Sequence, residues 1–437
     1  MRKSKFNTAI ALSLAALTAF TAACQETAPP EGTEGGETTE TSAGGEGDLK
    51  LGSLTPTTGD LSSIGQNMPV AVQLAVDTIN ACGGVNDMPV SLVQEDSQTD
   101  PTAGGAAMTK LAEVDKVAGV VGSFASSVSS AAVDVAVRNG VMQISPGSTS
   151  PVFTERAAAG DFDGYWARTA PPDSYQAPAL AVLAQKQGFE RVSTVVINND
   201  YGVGFEQEFV KAFEKLGGTI VNKDNPVRYD PKAATLDSEA AAAFANEPDA
   251  VLGVLYAETG SVLLKAAYEQ GLSEDVTVLL TDGVYSPDFP EQVGSTPEGE
   301  SIIAGSLGTV PGADGAALAE FTTLWEEETG KEVSAFVPHS WDAAIAMMLA
   351  AEAADVNTGE GIRDNLRAVT NEPGQEVSDP CEAIALIREG IEINYQGASG
   401  NVEFDDNGDL AGSYDVWQVN EDGSLEVIDT VSPVDAL

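Results

Sequence analysis

From residue 49 onward, short apolar runs alternate with longer amphipathic stretches, and this alternation constrains the fold more than any other feature. Runs rich in Val, Ile and Leu predict buried strands, and stretches of ten or more residues with helical spacing predict helices between them. Repeated strand–helix–strand units build parallel sheets that helices cover on both faces. The predicted strands are Leu49–Leu54, Val90–Glu95, Val117–Val121, Val141–Ser145, Arg191–Ile197, Thr219–Asn222, Ala250–Tyr256, Val276–Leu280 and Ile302–Leu307.

The number of these strands and one break between them divide the chain into two parts. Nine strands are more than one small sheet holds, and 437 residues suit two or three domains. The alternation stops where residues 168–173 (RTAPPD) interrupt it, and a new series of strands and helices follows. We therefore predict an α/β fold of two doubly wound, Rossmann-like lobes.

The C-terminal third has a different pattern. Residues 314–390 are largely helical in pattern, and residues 395–409 and 413–419 read as extended. Asp405–Asp409 (DDNGD) is acidic but lacks the spacing of an EF-hand, in which Gly stands at loop position six and Glu at position twelve. We predict a hairpin turn there rather than a calcium site.

The N-terminus has the anatomy of a secretory signal. Arg2, Lys3 and Lys5 precede the apolar run 6–20, which is shorter than the roughly 20 residues that a membrane span needs. The run ends in Thr21-Ala22-Ala23-Cys24, which resembles a bacterial lipobox. We predict a signal peptide at 1–23 and a lipidated Cys24; the alternative is a cleaved signal followed by a loose N-terminus.

Residues 25–48 contain no basic and no large apolar residue. Such a composition buries too little surface to offset chain entropy, so 24–48 is predicted to be a flexible acidic tether behind the lipid. A lipid, a tether and a folded body predict an exported protein, either lipid-anchored at the outer face of the cytoplasmic membrane or periplasmic.

The charge balance excludes several functions. Lys and Arg number 21 against 67 Asp and Glu, which gives a net charge of -46 and excludes nucleic-acid binding through a basic surface. A saline habitat accounts for this charge better than specific capture of cations.

His339 is the only histidine, so zinc sites and Ser–His or Cys–His pairs lack partners. No G-x-G-x-x-G follows the first strand. We predict no metal, no cofactor and no enzymatic activity.

Polar and small residues follow two predicted strands of the first series. Residues 122–127 (GSFASS) come after Val117–Val121, and residues 146–150 (PGSTS) come after Val141–Ser145. Ligands of open α/β sheets bind beyond the carboxyl ends of strands, where helix N-termini favour anions. These loops predict a carboxylate site. Taken singly, their serines are equally explained as helix caps and Thr149 as a turn residue.

The second series ends its strands with a different set of side chains. Residues 198–202 (NNDYG) end one strand, Tyr256 another, and residues 281–283 (TDG) a third. An acid facing hydroxyls across a cleft suits an ammonium group. Together with the carboxylate site, this arrangement describes an α-amino acid. The alternatives are that Asp282 belongs to an ordinary turn and that the tyrosines only pack at the edge of the hydrophobic core.

Several motifs in sequence order resemble a known family. They are residues 51–56 (LGSLTP), 77–85 (DTINACGGV), 96–101 (DSQTDP), 200–202 (DYG) and 397–409. In these the chain resembles type I periplasmic substrate-binding proteins of the leucine/isoleucine/valine-binding class, which serve ABC importers. The resemblance runs from about Leu49 to Val427. It implies the type I fold, in which a three-crossing hinge joins two lobes that close over the ligand.

The resemblance also implies the ligand contacts, which are Ser126, Gly147, Ser148, Thr149, Tyr201, Tyr256 and Asp282. The family often has an aromatic residue where this chain has Ile64, and often Glu where it has Asp282. We place one lobe at 49–168 plus 308–398 and the other at 169–307 plus 399–437. The hinge crossings are expected near Arg168–Pro172, Leu307–Pro311 and Tyr395–Gly400.

We therefore expect a monomeric solute-binding lipoprotein for amino-acid transport. Its ligand would be a branched-chain or other aliphatic amino acid, and its partners the lipid anchor and the permease subunits of an ABC importer. Two alternatives remain: the same fold binding urea, a short amide or another small carboxylate, and a ligand-sensing receptor domain. In an oxidising compartment, Cys82 and Cys381 predict one disulfide, the alternative being two separate thiols.

Overall fold

The structure is a computed structural model that describes residues 44–45 and 47–432. The predicted signal peptide, Cys24 and most of the predicted tether lie outside the described residues. Among the described residues, no helix is both long and apolar enough to cross a bilayer.

The strands fall largely where the apolar runs predict them. Runs such as GVVG and AVLGV are buried along their whole length, as strands covered on both faces must be. The strands are β1 Gly44–Gly45, β2 Lys50–Thr55, β3 Ser91–Asp96, β4 Gly119–Gly122, β5 Met142–Ser145, β6 Trp166–Arg168, β7 Arg191–Ile197, β8 Thr219–Ile220, β9 Val227–Tyr229, β10 Ala250–Val254, β11 Thr277–Leu280, β12 Leu307–Pro311, β13 Asn357–Thr358, β14 Gln375–Val377, β15 Ile393–Tyr395, β16 Tyr414–Val419 and β17 Leu425–Val431.

Helices lie between most of these strands. The helices are α1 Ser62–Gly65, α2 Met68–Ala81, α3 Pro101–Thr109, α4 Ser126–Arg138, α5 Val152–Ala158, α6 Asp173–Lys186, α7 Asp200–Lys215, α8 Asp237–Ala243, α9 Ala257–Glu269, α10 Phe289–Val293, α11 Leu318–Thr329, α12 Val337–Ala354, α13 Gly359–Thr370 and α14 Pro380–Arg388. A π-helical turn, Lys110–Asp115, extends α3, and a 3₁₀ turn, Asp282–Val284, follows β11.

Two sheets organise the molecule. The first has five parallel strands in the order β3-β2-β4-β5-β6. The second runs β17-β16-β12-β11-β10-β7-β8, with β9 also paired to β7, and only β16 and β17 are antiparallel to their neighbours. In both sheets the strand order reverses beside the first strand, which is the switch point where α/β sheets bind ligands. The prediction of two doubly wound lobes is confirmed.

Two local predictions are wrong. Ile302–Leu307 is a series of turns, and the strand begins only at Leu307, because an apolar run of that length does not by itself distinguish a strand from a packed loop. Asp405–Asp409 forms a turn closed by the Gly408 N–H and the Asp405 carbonyl, but it joins no hairpin, since β16 pairs with β12 and β17 instead.

The chain crosses between the sheets later than predicted at two places. Leu307–Pro311 lies wholly within the second sheet, so that crossing follows Pro311. Val402, Phe404 and Leu410 are buried in the core of the first sheet, so the last crossing follows Leu410 rather than lying at 395–400. The buried apolar side chains of this segment attach it to the first lobe. The motif resemblance had placed the hinge within the same segment.

A disulfide joins Cys82, at the end of α2, to Cys381 in α14. Helix α14 packs against α2, which itself packs on the first sheet, and the two Cα atoms are 5.5 Å apart, as bridged cysteines require. The bridge spans 299 residues of sequence, but both of its ends belong to the same lobe.

Candidate ligand-binding cleft

The loops at the carboxyl ends of both sheets face each other across a cleft. From the first sheet, β4 leads to Ser126 and β5 leads to residues 146–150. From the second, β7, β10 and β11 lead to Tyr201, Tyr256 and Asp282. Contacts join the two sides: the Ser150 hydroxyl donates to the Asp200 carbonyl at 2.9 Å, and the Asp173 N–H donates to the Thr149 carbonyl at 2.8 Å.

On the first side, Ser126 begins helix α4. The residue before it, Ala125, supplies no side-chain cap, so the first N–H groups of the helix have no side-chain partner there. The Ser126 hydroxyl accepts only a long bond, 3.3 Å, from the Ser150 N–H. The Thr149 hydroxyl is buried and has no partner of hydrogen-bond geometry among the described residues. Both hydroxyls retain capacity for a polar ligand.

Gly147 and Ser148 shape the loop rather than present side chains. A Cβ on Gly147 would lie 2.0 Å from the Phe124 ring, so only glycine fits under that ring. The Ser148 hydroxyl lies 2.8 Å from the Ser129 hydroxyl and 3.0 Å from the Phe124 carbonyl, so it points into the lobe. Gly147 and Ser148 were both predicted to contact the ligand, and in this loop only their backbone groups can do so.

A buried ion pair supports this loop from behind. The Arg168 side chain is fully buried and its Nε lies 2.7 Å from Oδ1 of Asp409. Its NH1 donates to the carbonyls of Ser148 and Ser150, each at 2.9 Å. The loop is therefore fixed to the turn at 405–409, a connection for which the sequence pattern gave no signal.

On the second side, Tyr201 and Asp282 are in direct contact. The Tyr201 hydroxyl lies 2.9 Å from Oδ1 of Asp282, and Gln176 donates to the same oxygen at 3.0 Å. Tyr201 lies at the N-terminus of α7, whose cap is the Asn199 side chain, and Asp282 opens the turn after β11. Burial raises the pKa of Asp282 to about 6, although its bonds from Tyr201 and Gln176 oppose the shift.

Asp173 is a second buried acid at this place, and no sequence pattern predicted it as a site residue. It is fully buried, and neither carboxyl oxygen has a partner of hydrogen-bond geometry among the described residues. Burial and then the charge of Asp282 raise its pKa well above the usual value, and Thr149 and Arg168 offset this only in part. The signal available was an acid directly after Pro171-Pro172, which reads as an ordinary helix start.

Aromatic and aliphatic side chains complete the cleft. The rings of Tyr201 and Tyr256 stack with centroids 5.7 Å apart, and the Tyr256 hydroxyl has no partner of hydrogen-bond geometry among the described residues. The same apolar cluster includes residues from both lobes: Leu61, Ile64, Met68, Phe124, Tyr201, Tyr256 and Phe336. Ile64, which stands where the family often has an aromatic residue, is thus part of the apolar wall.

The arrangement suits binding better than catalysis. His339 is buried beside Phe336, and burial lowers its pKa to about 3, so it is neutral at physiological pH. No group of three or more His, Cys, Asp or Glu residues within the described chain has the geometry of a metal site. Two buried carboxyls close together, with no salt bridge to either among the described residues, favour a bound proton or a cationic partner.

Comparison with known proteins identifies the family of this fold. Residues 67–422 match the family model described as "Receptor family ligand binding region". The chemotactic signal transduction system substrate-binding protein BasB of Halobacterium salinarum is 26% identical over 376 residues, which cover 81% of this chain and 83% of BasB. Leu/Ile/Val-binding protein homolog 2 of Brucella abortus is 26% identical over 382 residues, covering 86% and 92%.

The fold has a solved counterpart. The crystal structure of the leucine-binding protein LivK of Thermotoga maritima superposes with a TM-score of 0.73 at 25% identity, covering 89% of this chain and 99% of LivK. The predicted resemblance to type I periplasmic substrate-binding proteins of the Leu/Ile/Val-binding class is confirmed. Since the family model spans most of its length, this chain belongs to the family of receptor ligand-binding regions.

Proposed function

We propose that this protein is the extracytoplasmic solute-binding component of an ABC importer and that it holds an aliphatic α-amino acid in the cleft between its lobes. The observation that carries the proposal is the buried acid pair of Asp173 and Asp282, which lies beside the buried hydroxyl of Thr149. The lipid anchor at Cys24, the exported location and the permease partner belong to the same proposal and rest on the sequence and the family.

The acid pair accounts for the ammonium group. Burial holds both carboxyls away from ionisation, and the charge of Asp282 adds to this for Asp173, so the pair gains most from a ligand that supplies a positive charge and several N–H donors. Asp282 offers an oxygen already oriented by Tyr201, and Asp173 offers two oxygens without partners. A neutral ligand would leave this cost uncompensated.

The first side of the cleft accounts for the carboxylate. The N-terminus of α4 favours an anion, and the Ser126 and Thr149 hydroxyls are available as donors. The remaining wall, formed by Leu61, Ile64, Phe124 and Phe336, is apolar and suits an aliphatic side chain. A cavity of about 420 Å³ beside Ser150 is lined in part by Glu155, Asp200 and Glu208, and this negative charge disfavours acidic ligands.

Closure of the lobes is the proposed mechanism. A ligand that contacts both sides stabilises the closed form by its difference in affinity for the two forms, and the permease recognises the closed form. No covalent bond changes. We propose that the lobes divide near residue 168 as expected, but after Pro311 rather than 307 and after Leu410 rather than 398.

A second candidate function is ligand sensing, because BasB is named as a substrate-binding protein of a chemotactic system. The fold and the ligand would be the same, and only the membrane partner would differ. Capture of a permease or of a chemoreceptor by the ligand-loaded protein, with purified candidates of each kind, separates the two.

The test of the ligand is a thermal-shift screen of the chain without its first 24 residues. The panel is the twenty amino acids, urea, short amides and small carboxylic acids including benzoate. A ligand at about 100 times its dissociation constant adds roughly 2.7 kcal/mol to stability, which is readily measured. We expect shifts from a few aliphatic amino acids and none in Asp282→Ala. A shift from amides or carboxylic acids alone, retained in Asp282→Ala, would overturn the assignment.

A further inference from the structure

A side chain of the first lobe reaches across the cleft to the start of a helix in the second. Asp60 lies in the loop after β2, and its Oδ1 accepts from the Thr259 N–H at 2.9 Å. Its Oδ2 accepts from the Thr259 hydroxyl at 2.7 Å. Thr259 is in the first turn of α9, the helix that follows Tyr256. This contact exists only when the lobes are together.

Helix α9 has no cap from its own chain segment. Its N-cap residue is Tyr256, whose side chain makes no capping bond. The first N–H groups of a helix need acceptors, and a carboxylate is among the best of them. Asp60 supplies that acceptor from the other lobe, so opening the cleft removes the cap.

The hydrogen bonds behind this cap lead to the ligand site. The carboxylate only accepts, so the Thr259 hydroxyl must donate to it, and the Tyr229 hydroxyl, 3.2 Å away, must donate to Thr259. The Tyr229 oxygen in turn accepts from the Tyr256 N–H at 3.3 Å. In this series of hydrogen bonds, Tyr229 donates to Thr259 and Thr259 donates to Asp60. The cap and the backbone of the cleft residue Tyr256 therefore form one network.

We propose that Asp60 is a positioning residue that caps α9 only in the closed form and thereby sets how long a ligand stays bound. The proposal rests on the proposed function in one respect, that a ligand occupies the closed cleft. Dissociation requires opening, and opening breaks the cap, so loss of the cap accelerates dissociation and leaves association nearly unchanged.

Burial and hydrogen bonding shift the pKa of Asp60 in opposite directions. Burial raises its pKa although three bonds to the start of α9 lower it, and the nearby Glu258 is also an acid. Asparagine keeps an oxygen acceptor without a charge to bury and caps helices as well as aspartate does. Asp60→Asn is therefore the conservative variant, and Asp60→Ala is the variant that removes the cap.

A second contact between the lobes provides a matched control. Lys232 of the second lobe lies 3.2 Å from Asp100 of the first, but the lysine side chain is 78% exposed. Exposed ion pairs contribute little. Lys232→Ala should change the dissociation rate by less than about twofold.

The experiment is stopped-flow measurement of association and dissociation, with the strongest ligand of the screen, on the chain without its first 24 residues. We expect Asp60→Ala to dissociate about five to ten times faster, as loss of a helix cap predicts, and Asp60→Asn to stay within about twofold of wild type. Thr259→Val should show a smaller effect that is less than additive with Asp60→Ala. An unchanged dissociation rate in Asp60→Ala, or equal acceleration in Asp60→Asn, would overturn the proposal.

A measurement without ligand separates this proposal from the proposed function. Spin labels on the exposed positions 114 and 211, introduced as Val114→Cys and Lys211→Cys, report the distance between the lobes. In Asp60→Ala the closed population should shrink relative to wild type and Asp60→Asn. Identical distance distributions would contradict the cap, whereas failure of every amino acid to bind wild type would contradict only the proposed function.

Discussion

The two sides of the cleft differ in how far their buried polar groups are paired with one another. On the first side, hydroxyls and carbonyls pair with one another: the Ser145 hydroxyl donates to the Ser123 carbonyl at 2.6 Å, and Arg168 is matched by Asp409. On the second side, Asp173 and Asp282 are buried together, and the nearby Arg168 pairs with Asp409 rather than with either acid. The first side is largely paired but leaves the Ser126 and Thr149 hydroxyls without strong partners, and the second holds two buried acids with no salt bridge among the described residues.

This difference predicts where stability and affinity reside. Substitutions on the first side should lower the stability of the ligand-free protein, because they leave buried groups unpaired. Substitutions of the acids on the second side should raise that stability and lower affinity, because they remove a repulsion that the ligand relieves. Under the proposed function, the unfavourable burial of the acid pair would be the source of selectivity for an ammonium group.

The largest expected effect is that of Arg168→Met. It leaves the Asp409 carboxylate and the carbonyls of Ser148 and Ser150 buried without their partner. Breaking one half of a buried ion pair costs about 3–5 kcal/mol. We expect a large fall in the urea midpoint of the ligand-free chain. Arg156→Met, which breaks the pairs of Arg156 with the exposed acids Asp134 and Asp161, should cost less than about 1 kcal/mol. Equal losses of stability in Arg168→Met and Arg156→Met would show that the buried ion pair contributes no more than the exposed ones.

Much of the scaffold follows from sequence, because its elements are local. A run such as RVSTVVI is a buried strand in nearly any context, and the prediction of Arg191–Ile197 matches β7 at both ends. The crossings were harder to place, since the chain near 395–410 has no distinctive composition and only the packing of Val402 and Phe404 decides its lobe.

The site could be predicted only in part, because strand ends are visible in sequence and tertiary pairing is not. Tyr201 and Asp282 come together because each follows a strand of one sheet. Asp173 and Arg168 act through partners more than a hundred residues away, at Asp282 and Asp409. Periodicity and spacing contain no information on such contacts.

The second expected effect is a pair of opposite changes in Asp173→Asn. Ligand affinity should fall about 100-fold, which is roughly 2.7 kcal/mol, because one of two acids facing the ammonium is lost. The ligand-free chain should become more stable by about 1 kcal/mol, since Asp282 no longer has a buried acid beside it. Isothermal titration and urea unfolding measure the two quantities. A decrease of both would mean that Asp173 belongs to the scaffold.

The third effect concerns pH. The pKa of Asp282 is about 6 in the folded chain and near 4 when unfolded, so between these values the folded state holds more protons. Stability of the ligand-free chain therefore falls as pH rises from 4 to 7, by on the order of 2 kcal/mol from this group. Asp173, whose pKa is also raised, contributes in the same direction.

Asp282→Asn is the control for this pH dependence. Asp342, whose pKa burial also raises to about 6, is present in both proteins, so its contribution cancels in the comparison. The stability difference between Asp282→Asn and wild type should grow between pH 4 and pH 7. Parallel curves would show that Asp282 ionises in the folded chain as it does in the unfolded one.

The smallest effect distinguishes the two sides at the level of a single hydroxyl. Ser126 has a single described hydroxyl contact, a long one of 3.3 Å from the Ser150 nitrogen, so its hydroxyl contributes little to the scaffold. Ser126→Ala should weaken amino-acid binding about five- to tenfold and leave the urea midpoint almost unchanged, because one hydrogen bond to a charged ligand is lost and little else. Ser127→Ala, one residue further along α4, should change neither quantity. If Ser126→Ala lowers stability instead of affinity, its hydroxyl belongs to the network of Ser145 and Ser148, and the carboxylate would then rest on the backbone of residues 147–149 and the Thr149 hydroxyl alone.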